Sequence, residues 1–148
     1  MSYETLVDIL ENNRKVDRAV TYVLGENEER RVSYADVHAR ALGILYHLQA
    51  MGAQRGDTMI IFLSNNEQFM DGYWAAVCGG VVPVPVAVGI SDEHRHKLLR
   101  IAAKLGNPLL YTDPSGKWIH VVLGALIGGV VNVVMHHFKN DTTKFKDK

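Results

Sequence analysis

The sequence is poor in several things that usually announce a function. Of its 148 residues only Cys78 is a cysteine. One thiol excludes an internal disulfide framework and a multi-cysteine zinc site. No sign of charge dominates, since 16 Lys and Arg balance 16 Asp and Glu. A neutral chain lacks the basic surplus that drives counterion release on nucleic acid, so no nucleic-acid partner is expected. The first twenty residues have no apolar core of signal-peptide length. They carry Glu4, Asp8, Glu11, Arg14, Lys15, Asp17 and Arg18 instead, and a cytoplasmic location is expected. There is no nucleophile elbow, no dinucleotide fingerprint and no internal repeat.

What is present is ordinary globular material, 47% hydrophobic and 22% charged, which argues against a disordered chain. Its charge is uneven. Residues 1–112 hold 11 basic and 13 acidic side chains, and residues 113–148 hold 5 and 3. The second segment also contains the longest apolar run.

Leu6, Ile9 and Leu10 fall at helical spacing, which predicts a short helix over about residues 4–13 capped by Ser2 or Thr5. The β-prone runs 19–24 and 30–34 flank the polar turn Gly25-Glu26-Asn27-Glu28-Glu29, a hairpin signal. Ser33 with Asp36 three residues on resembles a capping box, and Val37, Ala41, Ile44, Leu45 and Leu48 form one helical face. Gly52 stops that helix. Met59-Ile60-Ile61-Phe62-Leu63 is too short for a helix and continuous enough for a buried parallel strand. Glu67 to Cys78 reads as a helix stopped by Gly79-Gly80. Pro83 and Pro85, two apart, exclude a helix or a central antiparallel strand for Val81 to Val86. Ser91-Asp92-Glu93 opens a helix to about Leu105, and Leu109 to Thr112 is a short strand. Alternating strands and helices imply an α/β fold: a partial parallel sheet with flanking helices and an N-terminal β-hairpin, followed by an apolar C-terminal helix. The helices look too few to cover both sheet faces, so marginal stability and self-association through uncovered sheet or apolar tail are expected.

Several of these residues fall in a known order. Arg31-Val32-Ser33-Tyr34-Ala35-Asp36-Val37 leads into a long helix. Gly52-Ala53-Gln54-Arg55-Gly56-Asp57 precedes the strand ending Leu63-Ser64-Asn65-Asn66. Cys78-Gly79-Gly80 then precedes Val82-Pro83-Val84-Pro85. The series resembles the N-terminal subdomain of adenylate-forming enzymes, the AMP-dependent synthetases and ligases, over about residues 4–113. The extended loop from Val86 to His96 gives it the flavour of the fatty acyl-AMP ligase and acyl-CoA synthetase branch. The resemblance implies ATP-dependent activation of a carboxylate to an acyl adenylate. ATP, magnesium and a fatty acid substrate are implied only for the complete family enzyme. The family's phosphate loop, adenine motif, ribose aspartate and C-terminal lysine have no counterpart here. Ser115-Gly116-Lys117 lacks the surrounding hydroxyls and glycines, and Tyr111 stands where a Walker pattern needs glycine. No catalytic, cofactor-binding or metal residue is therefore assigned. The expectation is a truncated N-terminal part of an adenylating domain, residues 1–113, inactive alone.

Residues 114–148 depart from that pattern and read as a segment of different origin. Asn107-Pro108-Leu109-Leu110-Tyr111-Thr112-Asp113-Pro114-Ser115-Gly116 is similar to the closing motif of RHS-repeat-associated core domains. Trp118 to Met135 is an apolar run near the length of a membrane span, with a Gly-x-x-x-Gly spacing at Gly124 and Gly128. Membrane contact through this run, and packing of it on further chain, both stay open. So does a non-catalytic interaction role for the whole chain.

The remaining chemistry-bearing groups have plainer explanations. Arg30-Arg31 reads as loose pairing with the Glu cluster rather than an anion site. Asp92, Glu93, His94 and His96 form the densest set of metal-ligand types, but without the spacing of a known site. His136-His137 reads as an exposed helix end. Cys78 reads as a small buried residue. Tyr73-Trp74 reads as packing rather than an acyl pocket. The sequon Asn140-Asp141-Thr142 carries little without a secretion signal.

Overall fold

A computed structural model describes residues 4–89, 92–106 and 108–112, together with two short backbone pairs at 122–123 and 133–134. The elements are α1 (Leu6–Asn13), β1 (Ala19–Val23), β2 (Glu29–Ser33), α2 (Tyr34–Ala50), β3 (Thr58–Phe62), α3 (Asn66–Gly79), β4 (Val82–Pro85), α4 (Asp92–Leu105), β5 (Leu109–Thr112), β6 (Val122–Leu123) and β7 (Val133–Val134).

Local chemistry sets most boundaries. Thr5 caps α1 in a full capping box, its hydroxyl accepting from Asp8 N at 3.1 Å while Asp8 Oδ2 accepts from Thr5 N at 3.0 Å. Ser33 and Asn65 cap α2 and α3, each accepting from the backbone N–H three residues on, at 3.0 Å. α3 ends at Gly80, whose φ of +65° is left-handed backbone that favours glycine.

β3 is the central strand of a parallel sheet ordered β4-β3-β5. The chain steps from β3 to β4 on one side, then crosses back to β5 on the other. Right-handed crossovers running in opposite directions must place their helices on opposite faces. The packing agrees. Met59 and Ile61 lie in a core with Leu48 of α2 and Ala76 of α3, whereas Ile60 between them packs with Ala102, Leu98 and Ile101 of α4. Met59, Ile60 and Ile61 are all 0% exposed. Gly72 of α3 lets β5 come close, because a Cβ there would sit 2.5 Å from the Tyr111 ring. A third core joins Leu10 of α1, Tyr22 and Val32 of the hairpin, Val37 and Ala41 of α2, and Trp74 and Ala75 of α3.

Two expectations need correction. The sheet is not short of cover, since with three strands α4 alone closes one face and α2 with α3 close the other. A narrow sheet needs less helix than the sequence reading allowed. The apolar C-terminal helix is also not what is described: Val122–Leu123 and Val133–Val134 pair as antiparallel strands, in keeping with the β-propensity of valine. The rest of Trp118 to Met135 lies outside the described residues. Among the described residues no helix is long and apolar enough to cross a membrane.

Ile60 gives the direct test of the two-faced core. Ile60→Ala should cost about 2–5 kcal/mol in urea unfolding, as large-to-small changes in sealed cores do. Leu99→Ala, at a position 60% exposed, should cost under about 0.5 kcal/mol. Equal, small losses would show that α4 does not seal its face.

Candidate functional site

The densest arrangement of charge sits where the hairpin, α2 and α3 meet. Its origin is the strand period. In the β1–β2 register Tyr22 pairs with Arg30 and Val20 with Val32, and directly opposed residues share a face. Tyr22 and Val32 point into the core, so Arg30 stands on the same face of the hairpin, toward α3, with its side chain still 59% exposed. Arg31 opposes Thr21 and turns outward, 3.9 Å from Asp17 with both side chains exposed. The tandem arginines are thus divided between two faces.

On α3, Glu67 and Asp71 stand one helical turn apart and face Arg30 and Arg40. Arg40 Nη1 donates to Glu67 Oε1 at 2.6 Å, and Arg30 Nε pairs with Glu67 Oε2 at 3.2 Å. Arg40 Nε lies 3.1 Å from Asp71 Oδ2, close enough for an ion pair but poorly aligned as a hydrogen bond. Asp71 is 6% exposed. Burial raises its pKa, against the lowering pull of Arg40; Glu67 raises it further. The Tyr22 hydroxyl is pushed up too, by burial and then by Asp71 and Glu67. Tyr22 Oη, Asp71 Oδ1, Trp74 Nε1, Gln68 Oε1 and Arg40 Nη2 are buried without a protein hydrogen-bond partner. A second polar tie joins α1 to α2. His38 Nε2 donates to Glu11 Oε1 at 2.8 Å, and Arg14 Nε to Glu11 Oε2 at 2.6 Å. Arg14 first, and His38 next, hold the Glu11 carboxyl below the usual range.

Chemically, this junction fastens the hairpin and α2 to α3. A depression of about 330 Å³ lined by Arg30, Arg31, Val32, Asp36, Ala39 and Arg40 adjoins it, but Arg30 and Arg40 are already committed to Glu67. Among the described residues no three His, Cys, Asp or Glu side chains converge as metal ligands.

The other groups singled out in the sequence fall as follows. Arg30 and Arg31 are paired with acids, but not with the turn glutamates as expected: Arg30 answers Glu67 of α3 and Arg31 lies near Asp17. Glu93 and His96 are exposed and His94 is half-buried. Cys78 is half-buried against the hairpin core, its thiol pushed up by burial. Tyr73 and Trp74 meet edge to face at 5.9 Å, and Trp74 is 9% exposed within the core. Both are packing residues. Ser115 to Lys117, His136-His137 and the Asn140 sequon lie outside the described residues. The network through Arg40, Glu67 and Asp71 was missed. Its sequence signal was the strand alternation at Arg30 and the i,i+4 pair of acids on an otherwise packed helix.

Fold and junction together define an α/β domain with a parallel sheet and a docked N-terminal hairpin. The profile of the family described as AMP-binding enzyme matches residues 10–103, more than half of the chain, and the chain belongs to that family. It is similar to the adenylation domain of a keto acid-selecting NRPS module bound to keto acyl adenylate, at 30% identity and a TM-score of 0.70, covering 76% of this chain and 22% of that one. It is similar also to McyG A-PCP complexed with phenylalanyl-adenylate, at 30% identity and a TM-score of 0.69, covering 76% and 21%. The fatty acid AMP ligase from Legionella pneumophila shares the fold at 19% identity and a TM-score of 0.68, covering 75% and 20%. The chain thus spans about a fifth of the length of these structures. None of these matches supports the RHS-like reading of residues 107–116.

Two predictions concern the junction. Glu67→Gln removes the ion pair of Arg30 and one of the two of Arg40, which keeps Asp71, and should cost about 1–2 kcal/mol, between the values for exposed and for buried ion pairs. Arg31→Gln should cost under about 0.5 kcal/mol by denaturant titration. The pH dependence is set by the sign of the Asp71 shift. Its pKa in the folded chain is raised, so the folded state binds the proton more tightly than the unfolded one. Stability then falls as pH rises from the ordinary Asp value through the folded one. Asp71→Asn should remove that decline from the stability–pH curve. Glu11, with a lowered pKa, acts oppositely: its contribution is present above the ordinary Glu value and is lost as pH falls through the folded one.

Proposed function

We propose that residues 4–112 form the hairpin-and-sheet scaffold of an ATP-dependent, carboxylate-activating ligase, and that this chain by itself catalyses no adenylation. The observation that carries this reading is how the charged residues are used. The densest charge cluster of the described residues is spent on joining secondary structure, while the matched length is about a fifth of adenylation proteins solved with keto acyl adenylate or phenylalanyl-adenylate bound. In the complete reaction a carboxylate oxygen attacks the α-phosphate of ATP, giving acyl adenylate and releasing pyrophosphate. ATP and magnesium belong to that complete reaction. The carboxylate class is an acyl acid, with a fatty acid the reading the family resemblance favours.

Pyrophosphate exchange tests this directly. The purified 148-residue chain, given ATP, magnesium and a panel of fatty, keto and amino acids, should return no label from pyrophosphate into ATP. Acid-dependent exchange that scales with the concentration of the chain would overturn the reading.

A further inference from the structure

The charge of the chain is divided by the sheet. Residues 1–93 hold 7 basic and 13 acidic side chains, and residues 94–112 hold 4 basic and none acidic. The second set belongs to α4. Lys97, Arg100 and Lys104, at helical spacing, lie exposed along one face of it. Among the described residues none of the three has an acidic partner, whereas Arg14, Arg30, Arg31 and Arg40 each answer one. Like charges three and four apart on a helix repel, so this face gains from an acid. Beside the cations Leu99 is 60% exposed. Leu98, Ile101 and Leu105 are packed on the sheet with Ile60, so Leu99 is an apolar side chain left over on the solvent side.

The tip of the hairpin is the opposite of this surface. Glu26, Glu28 and Glu29 are exposed there. Among the described residues none of them pairs with a cation. Val23, opposite Glu29 in the register, is 71% exposed and Leu24 is 58% exposed. Leu24 N donates to Glu28 O at 2.8 Å, which holds the acids and the apolar pair on one turn. The tip thus carries three acids beside two bare apolar side chains, and α4 carries three cations beside one. The two surfaces cannot meet within one copy. The hairpin packs with α1, α2 and α3, α4 covers the other face of the sheet, and the sheet lies between them.

We propose that α4 of one copy receives the hairpin tip of a second copy, the cations of α4 against the three glutamates and Leu99 against Val23 and Leu24. The contact is head-to-tail, so each pair keeps one free tip and one free α4 and grows into short linear chains. It is small, below the roughly 1,200 Å² of standard interfaces, and therefore weak and sensitive to salt. A lipid surface is the poorer occupant, because α4 has spent its apolar side on the sheet and has no such face to lay in a bilayer. An extended polyanion of any kind also meets the acidic surplus of residues 1–93. The inference is independent of carboxylate activation.

Analytical ultracentrifugation of the full chain over a wide range of protein concentration tests it. Runs are made in about 0.01 M and about 1 M salt, between which the screening length falls from about 30 Å to about 3 Å. The average mass should rise with concentration at low salt and stay monomeric at high salt, and amide NMR shifts should change at residues 23–29 and 97–104. The double variants Lys97→Glu with Arg100→Glu, and Glu26→Lys with Glu28→Lys, should each associate at least about tenfold more weakly. An equimolar mixture of the two variants should associate again, with amide shifts in those same segments, which misfolded variants would not do. Leu99→Ala should weaken association with no change in net charge. A chain that stays monomeric at low salt would overturn the inference. Association that survives in both double variants would overturn it in favour of another surface, and a mixture that stays monomeric would overturn the pairing of tip with α4.

Discussion

A strand buried on both faces needs a layer above, a layer below and a partner at each side, and β3 needs all four. Met59, Ile60 and Ile61 place side chains alternately toward α2 with α3 and toward α4, and none of the three reaches water. Burying such side chains contributes on the order of 1.5–3 kcal/mol each. That gain is available only if the chain leaves β3 in one direction and returns past it in the other. The reversal is what turns a run of strand–helix units into a two-faced layer structure. The order of elements therefore follows from the burial of three residues more than from any loop.

The hairpin is outside that layer structure and is held by different physics. It adds only Tyr22 and Val32 to a buried core, too little for a two-stranded ribbon to dock firmly. The charged junction supplements it. Arg30 reaches across to Glu67, and Glu67 also receives Arg40 from α2, so one carboxylate ties three elements. Bridging in this way fixes orientation better than it adds stability, because partly buried ions give back in desolvation much of what they gain by pairing. Asp71 shows the cost: burial dominates its titration even with an arginine beside it. The junction is therefore best understood as setting the angle of the hairpin on α3.

Much of this was legible beforehand where one residue decides one local outcome. Thr5 and Ser33 are caps, Pro83 and Pro85 keep Val81 to Val86 out of a helix or a central antiparallel strand, and Met59 to Leu63 is a strand with no polar face. What was hidden depends on partners distant in sequence. Arg30 and Arg31 look alike in the chain, and only the pairing partner of β2 decides which one faces Glu67 of α3. The number of strands decides how many helices suffice, so the expected shortage of cover could not be judged before the sheet was known to have three strands. Trp118 to Met135 suits a helix by length and a strand by its valines, and periodicity does not separate the two in such runs. The strands at Val122 and Val133 show propensity prevailing at those positions.

The residues that carry the family resemblance are, where the structure describes them, largely residues that build the scaffold. Ser33 and Asp36 begin a helix. In Gln54-Arg55-Gly56-Asp57 the Asp57 carboxylate accepts from Gln54 N at 2.8 Å, and Gly56 N donates to Gly80 O at 2.9 Å. That turn thus locks the entry of β3 to the end of α3. Gly80 itself supplies the left-handed residue from which β4 departs, and Pro83 and Pro85 then close that edge. Ser33, Asp57, Gly56, Gly80, Pro83 and Pro85 are each accounted for by a backbone requirement. Such residues specify a sheet and the directions in which its helices leave it, and they do so whatever reaction is built on the far side. Membership in the family is therefore evidence about the scaffold first, and about the reaction only through residues that a scaffold does not need.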